Sequence, residues 1–436
     1  MAINKKQSKN SIKSIFKKVA SSIGFKNGKT KPLSEKKAGK RDFQDVNVKK
    51  IKKVIVKKSA KKISLRNTLI LKKKKFVDLK NKKKVEKKEE KKSEIAKKEE
   101  SVKLNKGSHN PIISPSLYSW ESKATFNPAA FEHEGKVHII YRAIGDDDSS
   151  VLGYACSCDG ISIEDRPTYC IYKRYNSHYP NLGEKLDYSS GGGWNGGCED
   201  PRITLIDDTL YLIYTAFDGW GSIRMALTSI SLVDFKKKKW NWKKAVLISA
   251  PREMNKNWVL FPEKINGKFA IMHSFYPRIL INYFDSLDEL DGTKFIKSNN
   301  TRPIDKNRTW DSWFRGIGPT PIKIKEGWLV LYHAMDHKNP DRYRMGALIL
   351  DEKDPTKILY RSKNPILEPE ESYENEGHKW GVIYSCGAVV KKGKLYVYYG
   401  GADKFVCVAS IALKELVNSL KEDKIIKLKN INNKNI

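Results

Sequence analysis

Five short apolar runs along the chain share one pattern of hydrophobic and polar positions. Each run follows a tight turn and is rich in Tyr, Ile, Val and Leu, which is typical of a buried strand. The runs are GKVHIIYRA (135–143), DTLYLIYTA (208–216), GKFAIMHSF (267–275), GWLVLYHAM (327–335) and GKLYVYYGGA (393–402). They begin 73, 59, 60 and 66 residues apart, so the pattern predicts a repeated structural unit.

A second motif lies just upstream of each apolar run. The five copies are FNPAAF (126–131), EDPRIT (199–204), LFPEKI (260–265), GPTPIK (318–323) and SCGAVV (385–390). Four of them contain proline, which a sheet tolerates at the first residue of a strand but not in its middle. We therefore predict that each unit begins with a strand marked by proline, turns tightly and returns in the aromatic strand.

Further short strands, such as SIRMALTSI and YRMGALILD, complete units of about four strands. Five such units predict an all-β fold, a five-bladed β-propeller, because a β-sandwich does not repeat so regularly. In a propeller the first strand of every blade lines the central channel, so the starts of these strands converge on one pocket. The residues predicted there are Asn127, Asp200, Glu263 with Lys264, Gly318 with Pro319, and Ser385, and the return strands add Arg142, Thr215, Ser274, His333 and Gly400.

Charge divides the chain into a tail and a body. Residues 1–106 hold 38 Lys and Arg against 10 Asp and Glu, which is +28 of the total formal charge of +34 and leaves +6 for the rest. The tail has few aromatic residues and long lysine runs, a composition that predicts a disordered basic extension. The predicted organisation is a tail (1–106), a catalytic domain (107–420) and a basic C-terminal tail (421–436).

One stretch of the tail, residues 11–26, spaces its apolar residues as an amphipathic helix would. It predicts a weak association with an anionic membrane or a nucleic acid, and the alternative is a solvated lysine-rich extension. Neither a secretory signal nor a transmembrane segment is expected from the sequence.

Six cysteines are too few for a disulfide scaffold of this size, and none forms a C-x-x-C pair. We therefore expect reduced thiols, no structural metal site and a cytoplasmic protein. No cofactor is expected.

The predicted pocket gathers carboxylates, aromatic rings and cations. Carboxylates and rings together suit sugar hydroxyls and sugar faces, while several cations on one face indicate an additional anion, most simply phosphate. The cations predicted there are Arg142, Lys264, Arg278, Arg315 and His333. The glycine stretch at 191–197 lacks the Lys-Ser/Thr of a nucleotide-binding P-loop, so it predicts a loop that presents Asp200.

The order of these motifs resembles glycoside hydrolase family 130, the β-mannoside phosphorylases and β-mannosidases, which are five-bladed propellers. The resemblance covers about residues 110–415 and rests on NPAAF…VHIIYRA, GCEDPRIT, LFPEKINGKFAIMH, GPTPIK…GWLVLYHA, DPTKILYRSKNPILEPE and GGAD. It implies that Asp200 is the catalytic acid and that Asn127, Arg142 and Asp403 bind the sugars around the cleaved bond. It also assigns Arg315, His333 and Lys264 to the phosphate site.

Two positions near Asp200 need separate interpretation. Glu199 is expected to be a sugar ligand or a partner that tunes Asp200. Many phosphorylases of the family have Leu-His-Arg where this chain has Met272-His273-Ser274, and Arg278 is the candidate to replace the lost arginine.

Three functions follow as hypotheses. The first is an inverting phosphorylase that uses inorganic phosphate as co-substrate and releases α-mannose 1-phosphate from β-mannosides. The second is an inverting β-mannosidase, in which Glu263 would be the base that activates water. The third is a non-catalytic sugar-binding propeller. A homo-oligomer is compatible with all three hypotheses.

Overall fold

The computed structural model describes residues 102–174, 196–218, 223–298 and 303–422. The stretch at 11–26 and the predicted C-terminal tail beyond residue 422 lie outside the described residues. The described part of the chain is mostly β, with 19 strands, three short α-helices and one 3-10 helix.

The strands fall into five successive groups along the chain. The chain opens with β1 (Asn105–Lys106), and the first group is β2 (Ala124–His133), β3 (Lys136–Ile144) and β4 (Ser150–Ser157). The second group is β5 (Gly197–Ile206), β6 (Thr209–Phe217), β7 (Ile223–Ser231) and β8 (Val246–Leu247). The third group is β9 (Val259–Leu260), β10 (Phe269–Ser274) and β11 (Leu280–Phe284).

The fourth group is β12 (Trp313–Ile317), β13 (Ile322–Ile324), β14 (Gly327–Asp336), β15 (Asn339–Leu350) and β16 (Ile358–Arg361). The fifth group is β17 (Ile383–Lys391), β18 (Lys394–Gly401) and β19 (Phe405–Ala412), and β1 pairs with β19 at its edge. The helices are α1 (Leu232–Lys236), α2 (Ser372–Asn375) and α3 (Leu413–Glu422), with the 3-10 helix at Leu287–Glu289.

Neighbouring strands within each group are antiparallel, and the long hairpins account for most of the pairing. One parallel residue pair, Ser150 with Gly197, links the first group to the second, so these two groups form a single sheet of seven strands. The third, fourth and fifth groups form separate sheets.

Five apolar clusters pack the groups against one another in chain order. Each cluster joins two successive groups, and one of them joins the fifth group back to the first through Val389, Tyr398 and Val408 against Ile139 and Tyr141. Every group therefore packs against two others, and the order of packing is cyclic.

All five predicted return strands are confirmed, as β3, β6, β10, β14 and β18. The upstream strands are confirmed in the first, second and fifth units. In the third unit only Leu260 of LFPEKI belongs to a strand. In the fourth unit GPTPIK follows β12, and only its last two residues, Ile322 and Lys323, belong to β13. In these two units the prolines follow or interrupt the inner strand, so the prediction of a strand that starts at the motif was wrong there.

The prolines of the first two units lie inside strands and not at their first residues. Pro128 and Pro201 coincide with register shifts in β2 and β5, between Phe126 and Ala129 and between Glu199 and Arg202. A bulge leaves one residue unpaired, so a proline there removes no ladder hydrogen bond.

The body begins before the predicted boundary at residue 107. Leu104 is buried in the cluster between the fourth and fifth groups, and α3 buries Leu416, Val417 and Leu420 against the same cluster. The last described helix ends at Glu422, two residues beyond the predicted boundary. Within the described residues no helix is long and apolar enough to cross a membrane.

Candidate active site

Two β-bulges place an asparagine and an aspartate side by side. Asn127 on β2 and Asp200 on β5 both have positive φ angles, 47° and 49°, and each precedes the proline of its bulge. Non-glycine residues seldom adopt this backbone region, and such residues cluster at functional sites. The Asn127 amide Nδ2 donates a hydrogen bond of 2.8 Å to Asp200 Oδ1, and both residues are buried.

A fully buried arginine holds the two adjacent carboxylates. The guanidinium of Arg142 on β3 lies 3.3 Å from Asp200 Oδ1 and 3.3 Å from Glu199 Oε1. Its Nε donates to Ser150 Oγ at 2.9 Å, and its plane lies over the Phe126 ring. A buried guanidinium needs this set of acceptors, because an unpaired buried charge costs several kcal/mol.

Lys256 adds a second cation that the sequence reasoning missed. Its ammonium lies 3.0 Å from Glu199 Oε2, so Glu199 is paired on both of its oxygens. Lys256 precedes β9 and keeps 18% of its side chain exposed. The sequence gives little indication that Lys256 belongs to the site, because it lies outside the repeated motifs, four residues before LFPEKI of the third unit.

The three carboxyl groups of the site have different environments. Burial acts to raise the pKa of Asp200, but Arg142, Lys256 and Arg202 outweigh it and hold that pKa below its usual value. Burial raises the pKa of Glu199, with Arg142 and Lys256 opposing. Burial likewise raises the pKa of Asp403. Asp200 is therefore ionised in the site as described.

Asp200 keeps one oxygen for a ligand. Both of its protein contacts fall on Oδ1, and within the described residues Oδ2 has no hydrogen bond. The neighbouring Asn127 carbonyl Oδ1 is buried without a partner. Buried polar atoms nearly always find partners, so unpartnered ones in a cluster indicate a position for a ligand.

Arg202 ties the start of β5 to the third and fourth groups. Its guanidinium donates to the Asp200 carbonyl at 2.7 Å, the Asn257 side-chain oxygen at 2.9 Å and the Gly318 carbonyl at 3.1 Å. The Asn257 amide donates to the Arg315 carbonyl at 2.8 Å. This network fixes the backbone under Asp200. Arg202 and Asn257 were not among the predicted site residues, although Arg202 belongs to the Asp-Pro-Arg motif.

His333 on β14 is a neutral hydrogen-bond donor and not the cation that the sequence suggested. The Ser385 amide donates to its Nε2 at 2.9 Å, which assigns the ring proton to Nδ1. Burial, followed by the charge of Arg202, lowers its pKa to about 3. The ring stacks on Tyr384 at 4.2 Å, and Nδ1 is buried without a partner. Asp200 lies within electrostatic reach of this ring.

Two further predicted residues lie at the edge of the same site. Arg315 sits at the register shift of β12, with its Nε donating to the Tyr343 hydroxyl at 2.9 Å and its guanidinium over the Trp313 ring. Asp403 occupies the turn between β18 and β19 with a positive φ of 52°, and its carboxyl feels the charges of Arg142 and Asp200.

Glu263 and Lys264 are not brought to this site. Both are exposed in the turn between β9 and β10, and the Lys264 ammonium lies over the Phe269 ring. The Thr204 hydroxyl donates a hydrogen bond to the Leu260 carbonyl, and Thr204 lies four residues beyond Asp200 along β5. The chain therefore moves away from Asp200 before it reaches Glu263. In the third group it is Asn257 that lies beside Arg202. The prediction that the Glu263–Lys264 pair lines the pocket was wrong.

Arg278 is the remaining cation predicted for the pocket. Arg278 is exposed on the bend between β10 and β11. All six cysteines are free, and four of them are buried. Within the described residues no group of three or more His, Cys, Asp or Glu side chains is placed to hold a metal ion.

The chain belongs to glycoside hydrolase family 130. The model of that family, described as beta-1,4-mannooligosaccharide phosphorylase, matches residues 86–422.

Two curated relatives come from Thermoanaerobacter sp. (strain X514). One, a 1,2-beta-oligomannan phosphorylase, is 39% identical and covers 72% of this chain and 99% of its own length. The other, a beta-1,2-mannobiose phosphorylase, is 37% identical and covers 71% of this chain and 97% of its own length. Among solved structures, the beta-1,2-mannobiose phosphorylase from Listeria innocua in complex with beta-1,2-mannobiose is 25% identical, with a TM-score of 0.56. It covers 73% of this chain and 99% of its own.

Proposed function

We propose that the pocket around Asp200 phosphorolyses β-mannosides and releases α-mannose 1-phosphate. The observation that carries the proposal is a group of polar atoms at one place that the protein leaves without hydrogen bonds. Asn127 Oδ1 and His333 Nδ1 are buried without a partner, and both hydrogen bonds of Asp200 fall on Oδ1, which leaves Oδ2 for a ligand. They lie beside a buried arginine, in a chain whose family and relatives are named for mannoside phosphorolysis.

Asp200 is the proton donor in this proposal. Phosphate attacks the anomeric carbon from one face while the glycosidic C–O bond breaks on the other, so the configuration inverts. The proton passes from Asp200 Oδ2 to the leaving oxygen, directly or through a substrate hydroxyl. A phosphate dianion bound nearby raises the pKa of Asp200 by repulsion, so that the carboxyl group takes up a proton from solvent when phosphate binds and then serves as the acid.

Phosphate is held by neighbouring donors that the bulges and the Arg202 network position. Arg315 supplies a guanidinium and His333 supplies the Nδ1 proton, while Lys256 pairs with Glu199 and its charge is felt at Asp200. Fixed donors of this kind stabilise charge without reorganisation. Asn127, Arg142, Glu199 and Asp403 bind or position the sugars around the cleaved bond.

Hydrolysis is not favoured. An inverting hydrolase needs a second carboxylate about 6.5–9.5 Å from the acid to activate water. Glu263, the predicted base, lies on an exposed turn beyond the level of Thr204, and Glu199 is committed to Arg142 and Lys256. Phosphate is its own nucleophile, so one carboxylate is enough for phosphorolysis.

We also propose that the fold is a five-bladed propeller. The five strand groups and their cyclic order of packing support it, with β2, β5, β12 and β17 as inner strands that each carry a bulge at the pocket. The seven-stranded sheet then represents two blades joined by the single parallel pair at Ser150 and Gly197.

The linkage that we propose is β-1,2. The two relatives at 39% and 37% identity are named for β-1,2 substrates, whereas the description of the family names β-1,4. The test is to incubate the protein with β-1,2- and β-1,4-mannobiose in phosphate and to measure mannose 1-phosphate. We expect product from β-1,2-mannobiose at the higher kcat/KM. A higher value for β-1,4-mannobiose would overturn the linkage, and no sugar phosphate from either would overturn the function.

A further inference from the structure

A second cavity opens beside Asp403. It is a cleft of about 830 Å³ between α2 and the start of β19, and its lining includes Ser372, Tyr373, Glu376, His378, Lys404 and Phe405. That volume falls within the range of ligand-binding pockets, roughly 300–1,000 Å³. None of these residues belongs to the site around Asp200, and no role for them follows from the reaction at the cleaved bond.

Backbone contacts connect this cleft to the pocket. The Lys404 carbonyl accepts a hydrogen bond of 3.1 Å from the Thr125 amide, and His378 Nε2 donates to the Lys123 carbonyl at 3.2 Å. The chain then continues along β2 to Asn127, which is two residues from Thr125 and four from Lys123, or on the order of 7 to 13 Å along the strand. The cleft is therefore displaced from Asn127 and Asp200, and it lies close enough to take the sugars next to the one that is being cleaved.

The position of Asp403 gives the same link from the other side. Asp403 precedes Lys404 in the chain, and its carboxyl feels the charges of His378 on the cleft side and of Asp200 on the pocket side. The cleft and the pocket thus lie on either side of one buried carboxyl group.

The lining suits a neutral polyol more than an anion. Tyr373 and Phe405 line the cleft with partly buried aromatic rings that also pack against the cluster between the fourth and fifth groups, while Ser372 and Glu376 are exposed polar side chains. The Lys404 ammonium lies over the Phe405 ring at 5.3 Å, and His378 Nε2 already donates to a backbone carbonyl. Aromatic faces with a few hydrogen-bonding groups are the lining that sugars require.

We infer that this cleft binds the acceptor-side sugars of a β-mannan oligosaccharide. The inference rests on the proposed function: if each turnover removes one mannose as its phosphate, all further sugars of the substrate lie on the acceptor side. The protein then prefers oligomers to the disaccharide. The names of its relatives leave this open, because one is named for oligomannan and the other for mannobiose at nearly equal identity.

The test compares chain lengths in the full protein and in two variants. Ser372→Trp fills the cleft from an exposed position, and Glu376→Ala removes one exposed hydrogen-bonding group. Lys239→Trp is the matched control, because Lys239 is equally exposed but lies beyond the end of β7, away from both sites. For each protein, kcat/KM is measured with β-1,2-mannobiose and with β-1,2-mannotetraose at saturating phosphate.

We expect wild type and Lys239→Trp to favour the tetrasaccharide. Glu376→Ala should lose about 3- to 10-fold on the tetrasaccharide, as for one hydrogen bond, and Ser372→Trp should lose at least as much. Both variants should stay within about 2-fold of wild type on mannobiose. Equal kcat/KM for both lengths in wild type, or an equal loss on both in the variants, would overturn the cleft assignment and leave the function standing. Absence of phosphorolysis with either substrate would overturn both.

Discussion

At the scale of single residues, the site depends on backbone conformations that side chains alone would not produce. Asn127, Asp200 and Asp403 all have positive φ angles near 50°, each at a bulge or turn that aims the side chain inward. Bulges next to active sites commonly re-aim a side chain in this way. The conformational cost is offset by the buried contacts with Arg142 and Arg202.

Asp200→Asn tests the proton donor. The amide keeps the shape of the side chain and cannot donate the carboxyl proton, so we expect kcat for phosphorolysis to fall by about 10²–10⁴. Folding should survive, because Glu199 still pairs with Arg142. The control is Glu263→Gln on the exposed turn, which should leave kcat unchanged. Activity of Asp200→Asn within a few-fold of wild type would show that another group supplies the proton.

His333 predicts how stability depends on pH. Its pKa is about 3 in the folded protein, below the usual value of 6.5, so the unfolded state binds the extra proton between these values. Stability should therefore fall as the pH is lowered from 6.5, by roughly 2 kcal/mol at pH 5 from this residue.

The measurement is urea unfolding of wild type and His333→Gln at pH 7 and pH 5. Gln can still accept the hydrogen bond of the Ser385 amide and has no proton to bind. The loss of stability between the two pH values should be smaller in the variant by that amount. Equal losses in both proteins would mean that His333 is not held neutral.

At the scale of elements, the return strands were predictable because each is a continuous apolar hairpin strand after a tight turn, as in β3 and β18. The inner strands were harder. In the third unit the Pro262 motif looks like the Pro201 motif, yet it follows β9, and Asn257 takes the place near Arg202. Sequence spacing does not show how far along a strand a bulge lies. The motif therefore predicts Glu263 and Lys264 at the end of the strand near Asp200, whereas the structure has them in the exposed turn that follows β9.

The start of the body is a second element that composition concealed. Lys106 belongs by charge to the basic tail, but its ammonium lies 2.7 Å from the fully buried Glu374 carboxylate on α2. That carboxylate also accepts from the Tyr399 hydroxyl and from two backbone amides. Composition cannot distinguish Lys106 from the neighbouring lysines, because its partner Glu374 lies 268 residues further along the chain.

Lys106→Met should destabilise the body. Removing one member of a buried ion pair leaves an uncompensated charge and costs about 3 kcal/mol or more. Lys103→Met is the matched control: Lys103 is 44% exposed and pairs with partly exposed glutamates, so its loss should cost under about 1 kcal/mol. Urea unfolding measures both, and equal effects would contradict the role given to Lys106.

At the scale of the whole molecule, the cyclic order of packing gathers residues that are distant in sequence. Arg142, Asp200, His333 and Asp403 come from four different strand groups, and no local pattern could show that they meet. What the sequence could supply was the repeat, and with it the expectation that equivalent ends of strands converge. The structure brings Asn127 and Asp200 together at their bulges, as expected. It does not bring Glu263 and Lys264 of the third unit to them.

In the proposed reaction phosphate, and not water, attacks the sugar. The most direct measurement is an NMR time course with β-1,2-mannobiose, with and without phosphate, that follows the anomeric protons of mannose and mannose 1-phosphate. We expect the α-anomer of mannose 1-phosphate as the first product, only with phosphate, and negligible free mannose beyond the acceptor sugar. Cleavage at the same rate without phosphate, with two free mannoses per disaccharide, would contradict it and make the protein a mannosidase.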